Sequence, residues 1–168
     1  MKKIPAPTIT SCLWFDTNGE EAVKFYASIF KDSKIGKITR YGESGSKVSG
    51  MPVGTALTIE FEIAGQKFIA LNGGPVFKFT EAVSFVVTCE TQEEIDYYWD
   101  NLSKDGDPKA QQCGWLKDKF GLSWQVVPAA LNKYLSDPDP TKSEKVMQAL
   151  IAMKKLDLDT LAQAYRQA

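Results

Sequence analysis

The chain of 168 residues contains no histidine. This absence excludes serine–histidine–aspartate triads, metal sites built on imidazole and proton shuttles through a histidine ring. Cysteine is scarce as well. Cys12, Cys89 and Cys113 are odd in number and widely spaced, which suits neither a disulfide framework nor a thiolate zinc site. Much of ordinary enzyme chemistry is therefore unavailable to this chain.

The sequence also lacks a long apolar run and a large net charge. No stretch approaches the roughly 20 apolar residues that a bilayer-spanning helix needs. The formal net charge is -1, with 20 Lys and Arg against 21 Asp and Glu, so the electrostatic footprint of a nucleic-acid binder is missing. The first residues are charged but lack the apolar core of a signal peptide. We therefore expect a cytoplasmic protein with neither a nucleic-acid nor a membrane partner.

An internal repeat organises the chain. Residues 11–26 can be laid over residues 84–99 at an offset of 73 without gaps, and both segments predict an apolar strand followed by an amphipathic helix. Asn18 and Thr91 are each followed three residues later by glutamate, which is the spacing of a capping box. Because the caps coincide as well as the apolar positions, we interpret the repeat as a duplication.

Strand-like segments follow each predicted helix. Alternating residues predict strands over 35–41, 56–63 and 67–71 in the first half and over 112–117 and 123–127 in the second. The sequence thus predicts an α+β fold with the order β-α-β-β-β twice, although only two segments stand out after the second helix. We expect mixed sheets with the helices on one outer face.

Two connections are rich in glycine. Residues 42–54 contain four glycines and predict a loop that is a candidate lid. Gly73 and Gly74 follow a predicted strand, as in a cofactor-binding loop, but Pro75 follows them instead of a helix start. We interpret this pair as a tight turn.

The C-terminal part predicts helices. Residues 129–135 predict a short helix, and Thr141 with Glu144 has the spacing of a third capping box before a longer one. Apolar stripes over residues 146–165 indicate helices that pack on the domain, with a subunit contact as the alternative.

Three segments carry a resemblance to a known family: LWFDTNGEEAVKFYASIF at 13–30, ALNGGP at 70–75 and CGWLKDKFGLSWQVVP at 113–128. With the duplicated pattern, they resemble the vicinal oxygen chelate superfamily, which includes glyoxalase I, bleomycin-resistance proteins and extradiol dioxygenases. The closer match is to the PhnB-like branch, often labelled demethylubiquinone methyltransferase.

The resemblance implies a glyoxalase-like architecture, in which two βαβββ modules form a half-open mixed barrel. The modules are expected at about residues 8–72 and 83–128, within one domain that spans residues 1–135. Residues 136–168 are then a C-terminal helical extension. Two chains of this superfamily often pair around a shared barrel, so we expect a homodimer.

The resemblance also places possible metal ligands. Counting along the family pattern, these positions fall on Ser11, near Ile69, on Ser84 and on Gln125. Two hydroxyls, one alkyl chain and one amide are too few good donors for a divalent ion, so we expect no metal and no other cofactor. The methyltransferase label also lacks support, because the Gly73–Gly74 turn does not open a helix as in a doubly wound cofactor fold.

Strand parity assigns side chains to faces. If Ser11 faces the cavity, Leu13 and Phe15 do too, and Ser84, Val86 and Thr88 lie opposite them. Cys12, Trp14, Phe85 and Cys89 then pack under the helices. This makes Cys12 and Cys89 core residues, whereas Cys113 is left unassigned.

Charged and aromatic residues leave alternatives open. Glu60 and Glu62 share one strand face and form either an acid–base pair or a solvated face. The charged run 117–119 predicts an exposed hairpin tip. Trp115 and Phe77 either line an apolar pocket or belong to the core.

We therefore expect a small organic molecule to bind in a largely apolar cavity, without a metal. The predicted ligand-binding residues are Ser11, Leu13, Asn72, Phe77, Ser84, Trp115 and Gln125. The alternatives are an enzyme, with metal-dependent lyase, isomerase or dioxygenase chemistry or methyl transfer, and a structural dimer without a ligand.

Overall fold

The computed structural model describes residues 9–167, which form two compact units, one up to Lys78 and one from Phe79 onward. The charged N-terminal segment, which we expect not to be a signal peptide, lies outside the described residues. The first residue of the first expected module lies outside them too. Within the described part, no helix is both long and apolar enough to cross a membrane.

The first unit contains a four-stranded sheet and two helices. The elements follow the order β1 (Ser11–Phe15), α1 (Gly19–Ile29), β2 (Lys34–Arg40), α2 (Glu43–Ser49), β3 (Ala56–Ile63) and β4 (Gln66–Asn72). The strand order in the sheet is β1-β4-β3-β2, with β1 parallel to β4 and the other pairs antiparallel. The strands predicted for this half are confirmed to within one residue at each end.

Helix α1 packs on one face of this sheet because its apolar side chains meet alternate residues of the strands. The Tyr26 ring stacks on Phe61 with centroids 6.4 Å apart, and Phe61 stacks on Phe68 at 5.2 Å. Ile59 and Ile63 are buried on the same side of β3. The predicted alternation of β3 is thus confirmed, with Glu60 and Glu62 on the other face.

The predicted glycine-rich loop holds a short helix. Helix α2 (Glu43–Ser49) occupies the first half of residues 42–54, and Gly50 caps its end with a left-handed φ of 75°, which suits a residue without a side chain. The buried Met51 follows directly. Glycine spacing therefore predicted the ends of this segment but missed the helix between them.

The second unit contains a three-stranded sheet, four α-helices and a short 3₁₀ helix. Its elements are β5 (Ser84–Cys89), α3 (Gln92–Leu102), the 3₁₀ helix (Pro108–Ala110), β6 (Trp115–Lys117), β7 (Ser123–Pro128), α4 (Ala130–Leu135), α5 (Pro140–Ile151) and α6 (Leu158–Arg166). The strand order is β5-β7-β6, with β5 parallel and β6 antiparallel to β7.

The second half departs from the predicted strand pattern before β6. The 3₁₀ helix lies where a further strand would fall, and the predicted strand over 112–117 is regular only from Trp115. Cys113 and Gly114 both have left-handed φ values, 53° and 83°, which interrupt an extended backbone. Gln112 pairs only in an isolated bridge with Trp115.

The C-terminal helices pack on the second unit, as predicted. Backbone N–H groups of Cys113 and Gly114 donate to the carbonyls of Met153 and Lys154, each at 2.8 Å. Val146, Leu150, Leu156 and Leu161 form a buried cluster against which Cys113, Val127 and Leu131 pack. The predicted Thr141–Glu144 capping box is wrong, because α5 begins at Pro140 and Asp139 caps it.

The two repeated helices are capped differently. The Thr91 side chain accepts a hydrogen bond from the backbone N–H of Glu94 at 3.3 Å, and Glu94 reaches back to the N–H of Glu90 at 2.7 Å. Asn18 forms no side-chain cap bond, so the predicted capping box is wrong for α1. The Asn72 side chain takes its place by accepting from the N–H of Gly19 at 2.8 Å.

This difference gives a matched pair of substitutions. We expect Thr91→Ala to lower the free energy of unfolding by about 1 kcal/mol, because an orphan helix N–H loses its acceptor. Asn18→Ala should change it by less than about 0.5 kcal/mol. Urea unfolding of both variants checks the difference, and an equal loss for the two would contradict the caps as described.

Candidate functional site

The second sheet has one face that α3 covers and one that it does not. Cys89 is buried on the side of α3. Burial and the neighbouring Glu94 carboxylate of α3 raise the pKa of its thiol to about 11. Trp124 and Val126 are buried on the same side as Cys89. The face opposite α3 therefore carries the alternate residues, as strand parity predicted for this half.

Two cross-strand rows of side chains lie on the face opposite α3. Register partners form one row of Ser84, Ser123 and Lys117, and the next row consists of Val86, Gln125 and Trp115. We call the first the polar row and the second the mixed row. The structure thus brings three predicted ligand-binding residues, Ser84, Trp115 and Gln125, onto one face.

A hydrogen bond joins the two rows. The Nε2 of Gln125 donates to the Oγ of Ser84 at 2.9 Å, and both side chains are half-buried. This bond fixes the amide orientation and leaves the Gln125 carbonyl oxygen and the Ser84 O–H for other partners. Trp115 is half-buried beside them, and Val86 is 55% exposed.

The end of the polar row is an ion pair. The Lys117 ammonium contacts the carboxylate of Glu81, which lies just before β5. Their hydrogen bond lowers the pKa of Glu81. Side-chain exposure is 24% for Lys117 and 62% for Glu81, so the lysine is the more enclosed partner.

A cavity of about 470 Å³ lies next to these rows. It is lined by Glu81, Lys109, Ala110, Gln112, Cys113 and Trp115. The indole and the two charged side chains give this cavity one apolar wall and a polar rim, which is the usual composition of a small-molecule site.

Asp118 belongs to the structure of the β6–β7 turn and not to an exposed tip. It is 2% exposed, and its Oδ1 accepts from the N–H groups of Phe120 and Leu122 at 2.8 and 3.0 Å. Its Oδ2 accepts from the Nε1 of Trp124 at 2.9 Å. The prediction of a charged tip over 117–119 is therefore wrong for its central residue.

The predicted faces are reversed in the first unit. Leu13 and Phe15 are 7% and 2% exposed, and Ser11 shares a row with Phe68 and Phe61 on the side that α1 covers. Cys12 and Trp14 lie on the opposite face, and Cys12 is exposed. The prediction that Ser11 and Leu13 face a cavity with Cys12 in the core is thus wrong.

The reversal has a simple cause in the turns after the first strands. Three residues (16–18) separate β1 from α1, whereas two (90–91) separate β5 from α3. The helices keep the offset of 73, but the strands match at 74, which pairs Phe15 with Cys89. A shift of one residue moves every strand side chain to the other face. The counterpart of Ser84 in the first unit is therefore Thr10.

Trp14 is the aromatic residue that sequence reasoning missed on the open face of the first sheet. Its Nε1 donates to the carbonyl of Gly74 at 2.9 Å, and its ring meets Phe77 edge-on with centroids 4.9 Å apart. A Cβ on Gly73 would lie 2.2 Å from the indole, so the glycine makes room for it. Phe77 is 60% exposed. The predicted turn at Gly73–Gly74 is displaced to residues 75–76, because the N–H groups of both glycines still donate to the carbonyls of Phe15 and Asp16.

Asn72 is placed deep in the first unit. It is 1% exposed, its Oδ1 accepts from Gly19, and its Nδ2 donates to the carbonyl of Ala56 at 2.9 Å. Its backbone carbonyl accepts from the Tyr41 hydroxyl at 2.7 Å. These bonds tie β4 to α1 and β3, so the amide is engaged in holding the fold.

The first sheet has a separate cavity of about 340 Å³ at the start of β1 and β4. It is lined by Thr10, Lys34, Gly36, Glu60, Phe61, Glu62, Lys67, Phe68 and Ile69. Glu60 is exposed and Glu62 half-buried, with Lys34 and Lys67 as register neighbours of Glu62. The two carboxylates therefore lie on a solvated face that borders this cavity.

The donor sets do not fit a metal ion in either unit. At the positions that the superfamily resemblance implies, the second unit offers a hydroxyl and an amide bonded to each other. The first unit offers Ile69 and, once the strand register replaces Ser11 as the counterpart of Ser84, Thr10. Across residues 9–167, no three Cys, Asp or Glu side chains gather as metal ligands would. Divalent ions need three or four good donors, which these groups do not supply.

Known proteins are similar to this chain in sequence and in fold. The family model of 3-demethylubiquinone-9 3-methyltransferase matches residues 7–127. The PhnB protein from Bacillus cereus is 39% identical, with 73% of this chain and all of that chain (100%) covered and a TM-score of 0.62. No curated protein matches the chain significantly.

More distant structures share the fold alone. Protein PA1353 from Pseudomonas aeruginosa is 16% identical over 73% of this chain and 98% of its own, with a TM-score of 0.55. The fosfomycin resistance protein FosX from Listeria monocytogenes is 14% identical over 80% of this chain and 100% of its own, with a TM-score of 0.52. PhnB and FosX both have the vicinal oxygen chelate fold, which confirms the predicted fold class. The chain therefore belongs to the PhnB-like family whose model is described as 3-demethylubiquinone-9 3-methyltransferase.

Proposed function

We propose that the protein binds a small organic molecule on the face of the second sheet opposite α3, without a catalytic metal. The observation that carries this proposal is the hydrogen bond between Gln125 and Ser84, at two positions where the superfamily resemblance implies metal ligands. A neutral amide and a hydroxyl offer hydrogen bonds to a ligand but bind a divalent ion weakly.

The surroundings of this pair support an apolar ligand body. Trp115 and Val86 flank Gln125 in the mixed row, and Val86 is 55% exposed in spite of its apolar side chain. Sites for small molecules combine apolar walls with a few polar groups that set orientation. In the first unit, Phe77 against Trp14 forms a separate exposed aromatic surface, where Phe77 is kept as a proposed contact for an apolar molecule.

The proposal includes a homodimer, as the superfamily resemblance implies. Met147 and Ile151 of α5 support it, because they are 41% and 56% exposed although both are apolar. Such side chains on one helix are the kind of surface that a second copy covers.

Native mass spectrometry of gently purified protein, with trace-metal analysis of the same sample, tests the proposal. We expect a dimer mass, an additional organic mass and no stoichiometric metal. Trp115→Ala should lose the additional mass, because it removes the apolar wall, whereas Tyr97→Ala, which removes an exposed aromatic side chain from α3, should keep it.

Two results would contradict the proposal. Stoichiometric metal that disappears in Gln125→Ala would identify a metal site and favour the enzyme alternative. A protein that carries no organic mass and binds no member of a fragment library by ligand-observed NMR would favour a structural dimer.

A further inference from the structure

Ser123, in the middle of the polar row, has a hydroxyl group that the fold leaves without a partner. The residue is 1% exposed, and its Oγ forms no hydrogen bond with any described residue. A buried hydroxyl in this state is unfavourable, because it has given up its bonds to water and gained none. An orphan of this kind in a native fold indicates a missing partner.

The neighbours of Ser123 define what this partner is. The strand register places Ser84 on one side of it and Lys117 on the other. Since the Ser84 oxygen already accepts from Gln125, its O–H remains to donate. The row therefore presents two hydroxyl donors and one ammonium, and a carboxylate is a group that only accepts.

A carboxylate of this chain already occupies one end of the row. Glu81 binds the Lys117 ammonium from an exposed position just before β5. Exposed ion pairs contribute little to stability because solvent screens them. A ligand carboxylate can therefore replace Glu81 at Lys117 with little loss, at the end of the row where Ser123 is the register partner of Lys117.

We infer that the polar row binds the carboxylate of a planar small molecule, and that Glu81 holds the lysine end of this site in the free protein. The inference rests on the proposed function and adds the chemical class of the ligand. Rows two residues apart on a strand are separated by about 7 Å. An aromatic acid therefore spans from the polar row to Trp115 in the mixed row.

Benzoate and benzamide are matched probes, since they share a ring and differ in charge. We titrate each into the ¹⁵N-labelled full chain and follow the Trp115 indole N–H and the amides of β6 and β7. Both probes should shift the indole resonance. Benzoate should bind at least about tenfold more tightly, because charge-assisted hydrogen bonds are stronger than neutral ones.

Substitutions in the row separate its parts. Ser123→Ala should weaken benzoate binding about tenfold and leave the melting temperature equal or higher, because it removes an unsatisfied hydroxyl. Glu81→Gln should strengthen benzoate binding several-fold, since its competing carboxylate is gone. Glu144→Gln in α5 changes net charge equally and should leave binding unchanged.

The outcomes distinguish this inference from the proposal on which it rests. Equal binding of both probes at Trp115 would keep the small-molecule site and overturn the carboxylate class. Binding of neither probe would overturn the aromatic carboxylate class, whereas the small-molecule site itself is tested by the organic mass and the fragment library. A Ser123→Ala protein that is less stable yet binds benzoate normally would assign the hydroxyl a structural role, and an unchanged Glu81→Gln would refute the competition.

Discussion

Asp118→Ala should lower the free energy of unfolding of the second unit by about 3–5 kcal/mol, a loss seldom reached by one substitution. The carboxylate accepts from two backbone N–H groups and from the Trp124 indole. Alanine would remove the acceptor of all three bonds, two of them buried and the one to Phe120 part-buried. Each buried donor that loses its acceptor is unfavourable by about 1–3 kcal/mol. The contributions overlap because the donors share one turn, so the sum is not reached.

Asp118→Asn is the matched control. Its remaining oxygen can accept from Phe120 and Leu122, but its amide group would face the indole N–H as donor against donor. We expect about half the loss of the alanine variant. Urea unfolding followed by far-ultraviolet circular dichroism measures both, and a loss below about 1 kcal/mol for alanine would show that the turn does not depend on this carboxylate.

Asn72→Ala should lower the free energy of unfolding of the first unit by about 2–4 kcal/mol. The variant loses the acceptor for the Gly19 N–H at the start of α1 and the donor to the Ala56 carbonyl. Gly19 belongs to the same arrangement, because a Cβ there would lie 2.7 Å from the Asn72 oxygen.

Thermal unfolding and ligand retention of Asn72→Ala also decide whether Asn72 is a structural residue or the ligand contact that the sequence predicts. Asn72→Ala is compared with Asn18→Ala, which removes an amide at the same helix start that forms no cap bond. If Asn72 instead contacts the ligand, its variant keeps the melting temperature of the wild type and loses affinity. Thermal unfolding and ligand retention measured on one preparation separate these results.

The fold was predictable from the sequence where local rules and packing agree. The alternation of β3, with Phe61 inside and Glu60 outside, follows from the need to bury one face of a sheet beneath a helix. The same reasoning placed Ser84 and Gln125 correctly on the open face of the second sheet. In these strands, the alternation within the strand itself decides which face of the sheet each side chain occupies.

The rest depended on geometry that residue types do not encode. In the first half, strand parity counts across a turn that is one residue longer than its counterpart. The prediction therefore assigns Leu13 to the open face and Trp14 to the covered face, the reverse of the structure. The charged run 117–119 predicts a surface charge at Asp118, because the residue types around it do not show that three donors converge on its carboxylate. The three donors follow Asp118 within the same hairpin, so its burial depends on how this hairpin folds back and not on residue types alone.

The orphan hydroxyl of Ser123 was also beyond sequence reasoning, since its burial depends on neighbours in two other strands. Thr10 was overlooked for a different reason. It lies before the segment in which the repeat was recognised, and only the register of β1 with β4 identifies it as the counterpart of Ser84.

The extra residue between β1 and α1 bears on the duplication that we infer from the sequence repeat. An insertion within a strand would have turned its buried side chains to solvent, whereas the turn absorbed it at little entropic expense. Both halves have the same packing, but their first strands correspond at an offset of 74 residues and their helices at an offset of 73. The correspondence between the two halves is therefore seen in which side chains are buried. A gapless alignment of the two sequences assigns the strand side chains to the wrong faces.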